Sequence, residues 1–106
     1  MTGVTKVKVD PGICKRKVII KVEKSGSKAK INIESDCPLL NEFSEKLKEL
    51  EGRESTRNLL KNIVYQLSSE CLHATCPVPC AILKAVEVEF GFAAKRDVKI
   101  TFMSDK

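Results

Sequence analysis

The sequence predicts an α+β fold. It is a two-layer sandwich with helices on one face of a four-stranded, mostly antiparallel sheet, in the order β-β-β-α-α-α-β. Three observations carry this prediction. Apolar residues alternate with polar ones up to residue 35, then recur at three- and four-residue intervals from Pro38 to Phe90, and alternate once more near the C-terminus. A chain of 106 residues is expected to form a single domain, 1–106, burying roughly two-thirds of its unfolded surface.

The first strand is VTKVKVD (4–10), with Thr5, Val7 and Val9 on one side and Lys6 and Lys8 on the other. Pro11 and Gly12 break it. KVIIKVEK (17–24) turns Val18, Ile20 and Val22 inward, SGSK (25–28) reads as a hairpin connection, and AKINIES (29–35) buries Ala29, Ile31 and Ile33. These three strands form a meander with one wet face and one dry face. From Pro38, suited to the first position of a helix, the stripe Leu39, Leu40, Phe43, Leu47, Leu50 marks a first helix that ends at EGRE (51–54). A second helix is expected from an N-cap at Ser55 to Glu70, burying Leu60, Ile63, Val64, Leu67 and Cys71. A third buries Ala81, Ile82, Ala85, Val86 and Phe90 and is capped by Gly91. KRDVKITFM (95–103) then supplies the fourth strand through Val98, Ile100 and Phe102.

Following the chain direction through these elements brings Cys14, Cys37, Cys71, His73, Cys76 and Cys80 to one end of the sheet. Those are all five cysteines and the single histidine of the chain. The first and third helices also begin there, and helix N-termini favour the thiolate, the form that binds metals and acts as a nucleophile. Cys37 and Cys76 each precede a proline, which sets the backbone just past the sulfur. Cys71 completes an apolar stripe and reads as a small buried hydrophobe. Cys80 sits one turn after Cys76 and fits either ligation or packing. The expected ligand set is Cys14, Cys37 and Cys76, with Cys80 or His73 as the fourth. Such a set suits zinc or an iron–sulfur cluster and disfavours magnesium or calcium. The spacing C-x22-C-x38-C matches neither a standard zinc ribbon nor a ferredoxin signature. Two alternatives stand beside the metal: a metal-free thiol-redox or nucleophile role for Cys76, and a non-enzymatic interaction module using a basic sheet face.

Other classes fare worse. No glycine-rich phosphate loop occurs, and a single histidine leaves His73 as the one candidate for a Ser-His-Asp arrangement. Net charge is +5, with Lys6, Lys8, Lys17, Lys21, Lys30 and Lys99 expected on the open face of the sheet. Glu23, Glu34 and Asp97 interrupt that face, and Phe43, Tyr65, Phe90 and Phe102 are expected on buried stripes. Nucleic acid is therefore a disfavoured partner. With no apolar run long enough for a leader or a membrane span, a cytoplasmic protein is expected, where a cysteine group points to metal or catalysis before disulfides.

At PGIC (Pro11 to Cys14), Ser-x-Cys (Ser35 to Cys37) and H-x-x-CPVP (His73 to Pro79), the chain resembles a family of small proteins from archaea and anaerobic bacteria. The likeness extends over nearly the whole chain. That family has no established activity to carry over. The resemblance implies that Cys14, Cys37, His73 and Cys76 belong to its shared pattern, and an anaerobic setting tilts the metal towards iron–sulfur.

Overall fold

A computed structural model describes residues 3–12 and 15–104. Three antiparallel strands form the meander that the alternation predicts: β1 (Val4–Val9), β2 (Val18–Ser25) and β3 (Lys28–Glu34). The register places Val9 opposite Val18, Val7 opposite Ile20 and Thr5 opposite Val22, and continues with Ile20 opposite Ile33 and Val22 opposite Ile31. All of these side chains therefore share the dry face, because the pleat alternates strictly with a period of two. Val18, Ile20, Val22 and Ala29 are almost fully buried. Gly26, at a positive φ of 63°, makes the tight β2–β3 connection.

The helices α1 (Pro38–Lys46), α2 (Ile63–Cys71) and α3 (Val78–Glu89) cover that face. Phe43, Leu40, Val64, Ile82, Ala85 and Val86 meet the strands in one core, with α3 packed on β1 and β2 and α1 on β3. Gly91 closes α3 as expected. Its φ is 76°, Phe92 N–H donates to the Glu87 carbonyl at 2.8 Å and Gly91 N–H to that of Val88 at 3.1 Å. This pair of bonds is a Schellman cap.

The fourth strand is not the one expected. β4 is Glu49–Glu51, pairing antiparallel to β3 with Leu50 opposite Ala29, and the sheet order is β1-β2-β3-β4. The Leu47–Leu50 spacing reads as helix, yet α1 stops at Lys46 and Leu47 turns out of helical geometry at φ −122°, ψ 83°. A three-residue strand carries too few residues for its period to be recognised. What favours it is tertiary: Lys28 and Lys30 face Glu51 and Glu49 across the ladder, and Lys28 Nζ lies 3.4 Å from Glu49 Oε1. Residues 95–103, expected to supply the fourth strand, form no strand. Val98, Ile100 and Phe102 are exposed rather than buried, and Lys99 lies on this segment instead of the sheet face.

The second helix is shorter than expected, nine residues from Ile63 to Cys71, and it starts later. Between β4 and α2 the chain makes two 3₁₀ turns, Gly52–Thr56 and Leu59–Lys61. The N-cap is Asn62, whose Oδ1 accepts from Val64 N–H at 3.0 Å. Ser55 instead donates its hydroxyl back to the Gly52 carbonyl at 2.8 Å, the local bond with which serine competes against helix. Leu60, expected in the core, is exposed.

Gly52 is buried because Phe90 lies against it, and a methyl group added there would overlap the ring. The ring is itself flanked by Lys24 Nζ, 5.1 Å from its centroid, and by Phe92, 5.8 Å between centroids. Gly52→Ala is therefore expected to destabilise by about 1–3 kcal/mol through overpacking. Urea unfolding checks this, and Gly52→Ala combined with Phe90→Leu should cost less than the sum of the two single changes.

Candidate functional site

The site begins with three chain breaks that fall at the same end of the sheet. After β1, Asp10 Oδ1 accepts from Gly12 N–H at 3.1 Å and Lys15 N–H returns to the Gly12 carbonyl at 3.0 Å. Gly12 at φ 80° and Lys15 at φ 62° both adopt the left-handed backbone that this turn needs. After β3, Ser35 Oγ accepts from Cys37 N–H at 3.1 Å. Cys37 is the N-cap residue of α1, extended at φ −78°, ψ 121°, and Pro38 follows as the first helical residue. Its carbonyl starts the helix by accepting from Asn41 N–H at 3.0 Å. Its thiol makes no capping bond. Between α2 and α3, Cys76 N–H donates to the His73 carbonyl at 3.1 Å, and Pro77 becomes the N-cap of α3.

These three breaks enclose a cavity of about 120 Å³. Its walls are apolar, formed by Val18, Leu39, Leu40, Leu72 and Val78, and its polar lining is Arg16, Cys37, His73, Thr75 and Cys76. Pro11 borders it as well. Cys37 and Cys76 are half-buried and His73 is exposed. Arg16 ties the first break to the second: its Nη1 donates to the Asp36 carbonyl at 3.0 Å and lies 3.7 Å from Asp36 Oδ1. That ion pair is open to solvent, so it orients the loop more than it stabilises the fold. Pockets for organic ligands run to roughly 300 Å³ and more, so this cavity suits an ion or a group of few atoms.

Of the residues expected to form the site, Cys37, His73 and Cys76 border one cavity. Cys14 lies outside the described residues, between Pro11 and Arg16 in the sequence. Cys80 is exposed on the first turn of α3 and is not part of the cavity lining. It lies instead near Tyr65, whose hydroxyl pKa is raised chiefly by burial and further by the Cys80 thiol. Cys71 is buried in the core, as the apolar stripe of α2 predicts. Among the described residues, no three His, Cys, Asp or Glu side chains stand together in a metal-holding group. Arg16 and Thr75 escaped the sequence reading. Arg16 had one signal, its position two residues beyond Cys14, whereas Thr75 had none.

The wet face of the sheet is a mixed-charge surface. Its shallow depression, about 430 Å³ and broadly open, is lined by Lys21, Lys30, Glu23 and Glu34 among others, and Lys21 Nζ lies 3.5 Å from Glu34 Oε2. Basic and acidic side chains thus stand side by side on this face. Among the described residues, no helix is long and apolar enough to cross a membrane.

Residues 5–102 match the model of a family of unknown function, DUF6951. No curated protein and no solved structure matches the chain.

Proposed function

The chain belongs to the DUF6951 family, which carries no assigned activity, and we propose its role from the cavity: it holds a metal, zinc or an iron–sulfur cluster, at the cysteine-bearing end of the sheet. The observation that supports this reading is the convergence of Cys37, His73 and Cys76 on one small cavity whose loops are bracketed by Pro11 and Arg16. Cys37 and Cys76 each sit at a helix start, where unpaired amides favour negative charge. The described ligands do not close a coordination sphere by themselves, so the proposal takes Cys14 as the further ligand that the sequence supplies. Thiolates from three loops fit soft or borderline metals, and binding them would tie β1, β3 and the α2–α3 loop together.

Protein purified without oxygen tests this directly. Close to one equivalent of zinc, or iron with charge-transfer absorbance, is expected. Cys37→Ser and Cys76→Ser should each lower the metal content by at least about tenfold, as loss of a ligand does, while Cys71→Ala should leave it within about twofold. Metal below about a tenth of an equivalent would count against the proposal.

A second reading, a metal-free thiol function, is favoured by one feature: the Cys37 thiol is not used in capping α1, although its residue occupies the N-cap. Here Cys76 would act as the nucleophile, with Cys37 among its resolving partners. Alkylation at pH 6 separates the two. One cysteine reacting far faster than the others in metal-free protein supports the thiol reading, and uniform slow labelling removes it.

A further inference from the structure

Beyond the cap of α3, residues 93–104 leave the body of the protein. All are exposed, and after the turn that follows α3 they form neither helix nor strand. The longest strand has eight residues, roughly 27 Å, whereas the molecule extends 49 × 29 × 26 Å. A departing segment accounts for the long axis. Its sequence is not that of a solvated tail. Val98, Ile100 and Phe102 alternate with Asp97, Lys99 and Thr101, the pattern of a half-buried strand. Ile100 is 87% and Phe102 99% exposed. The family match continues to residue 102, so the segment belongs to the domain that the family shares.

The sheet offers a matching edge. β1 is the outermost strand, six residues long and paired to β2 alone among the described residues. Its outer side presents backbone groups to an incoming strand. The opposite edge, β4, has three residues and runs straight into a 3₁₀ turn, too short for a nine-residue partner. On the dry face of β1, Thr5, Val7 and Val9 lie under α3, so a strand added beside them with Val98, Ile100 and Phe102 turned the same way would prolong the apolar layer. On the wet face Asp97 and Lys99 would then lie level with Lys6, Lys8 and Asp10, where opposite charges are available to pair.

We infer that Lys95–Met103 adds as a fifth strand to β1 of a second copy of this chain, reciprocally, giving a two-fold symmetric dimer. Donor strand and acceptor edge reside on the same chain, so two copies satisfy both at once, as a closed isologous pair requires. A partner of a different kind would have to bring both a strand for β1 and an edge for the segment.

Sedimentation and residue-resolved amide exchange on the native protein test this. The expected result is a dimer of two 11.8 kDa chains, with protected amides both in 96–102 and on the outward side of β1. Ile100→Asp, and a chain ending at residue 93, should weaken dimerisation by at least about 100-fold and expose both sets of amides. The helical part of the far-UV circular dichroism and a cooperative thermal transition should be kept, with only the contribution of the added strand lost, since among the described residues no core residue lies beyond Phe90. A monomer at about 100 μM overturns the inference, whether its segment is unprotected or is protected against its own β1. A dimer whose 96–102 amides are protected while the outward β1 amides exchange freely also overturns it, because the segments then pair with each other. Should both variants unfold, the exchange pattern of the native protein alone decides.

Discussion

Phe43→Ala should destabilise the protein by about 3–5 kcal/mol, a large share of the roughly 5–15 kcal/mol that holds a domain folded. Phe43 is the largest of the fully buried side chains, and it stands where α1 packs down on β3 and alongside α2. Truncation removes most of an aromatic ring from the core and leaves a cavity that rigid strands on one side and helices on the other cannot close. Leu60→Ala is the matched control. Leu60 belongs to the stripe that the sequence predicts for the second helix, but it is 88% exposed, so its loss should stay within about 0.5 kcal/mol. Urea unfolding of the two variants measures the difference. Equal costs would show that Leu60 is packed in solution as deeply as Phe43, and would overturn this prediction.

Asn62→Ala should cost about 2–4 kcal/mol, from a lost N-cap and from lost side-chain bonds to the buried Ser55 carbonyl and the part-buried carbonyls of Glu54 and Arg57. Asn62 is 1% exposed. Its Nδ2 reaches the carbonyls of Arg57, Glu54 and Ser55 at 3.1, 3.3 and 3.4 Å, while its Oδ1 caps α2. One amide thus folds the 52–61 segment around itself and starts the next helix. Asn62→Asp separates the two roles. It keeps the acceptor for Val64 N–H but faces carbonyl oxygens with a carboxylate, so at neutral pH it should be at least as damaging as alanine. The introduced carboxyl would have a folded pKa above the ordinary value of about 3.9. The protonated form is then favoured by folding, so the stability of this variant should be greatest below that pH and fall as pH rises through the raised folded value. Thermal unfolding between pH 3 and 7 checks the sign. A flat profile would show that the donor bonds of Asn62 contribute little.

Both substitutions mark the boundary between what is readable in the chain and what is not. The cavity lies on the readable side. Strand and helix directions alone bring Cys37, His73 and Cys76 to one end of the sheet, and all three border one cavity there. Direction does not depend on element length: α2 has only nine residues, fewer than its stripe predicts, yet it still delivers His73 and Cys76 to the end where β1 and β3 finish. The apolar wall that Val18, Leu40 and Val78 build around them was not readable, because their stripes show burial without showing which buried residues meet.

By itself the sequence determined the meander, its dry face, the starts of α1 and α3 at Cys-Pro pairs and the glycine cap of α3. Each of these follows from signals within about one strand or one helical turn: alternation with a period of two, a proline with no amide to lose, and a glycine free to take a positive φ. Tertiary structure decided the rest. Whether Leu50 belongs to a helix or a strand depended on Ala29 and two lysines some twenty residues earlier in β3. Where α2 begins depended on an asparagine amide gathering carbonyls from the turn before it. The segment 95–103 has the strand pattern but no strand beside it in its own chain. A strand is half of a hydrogen-bonded pair, so its pattern announces the need for a partner, and the identity of that partner is settled by whichever edge lies within reach.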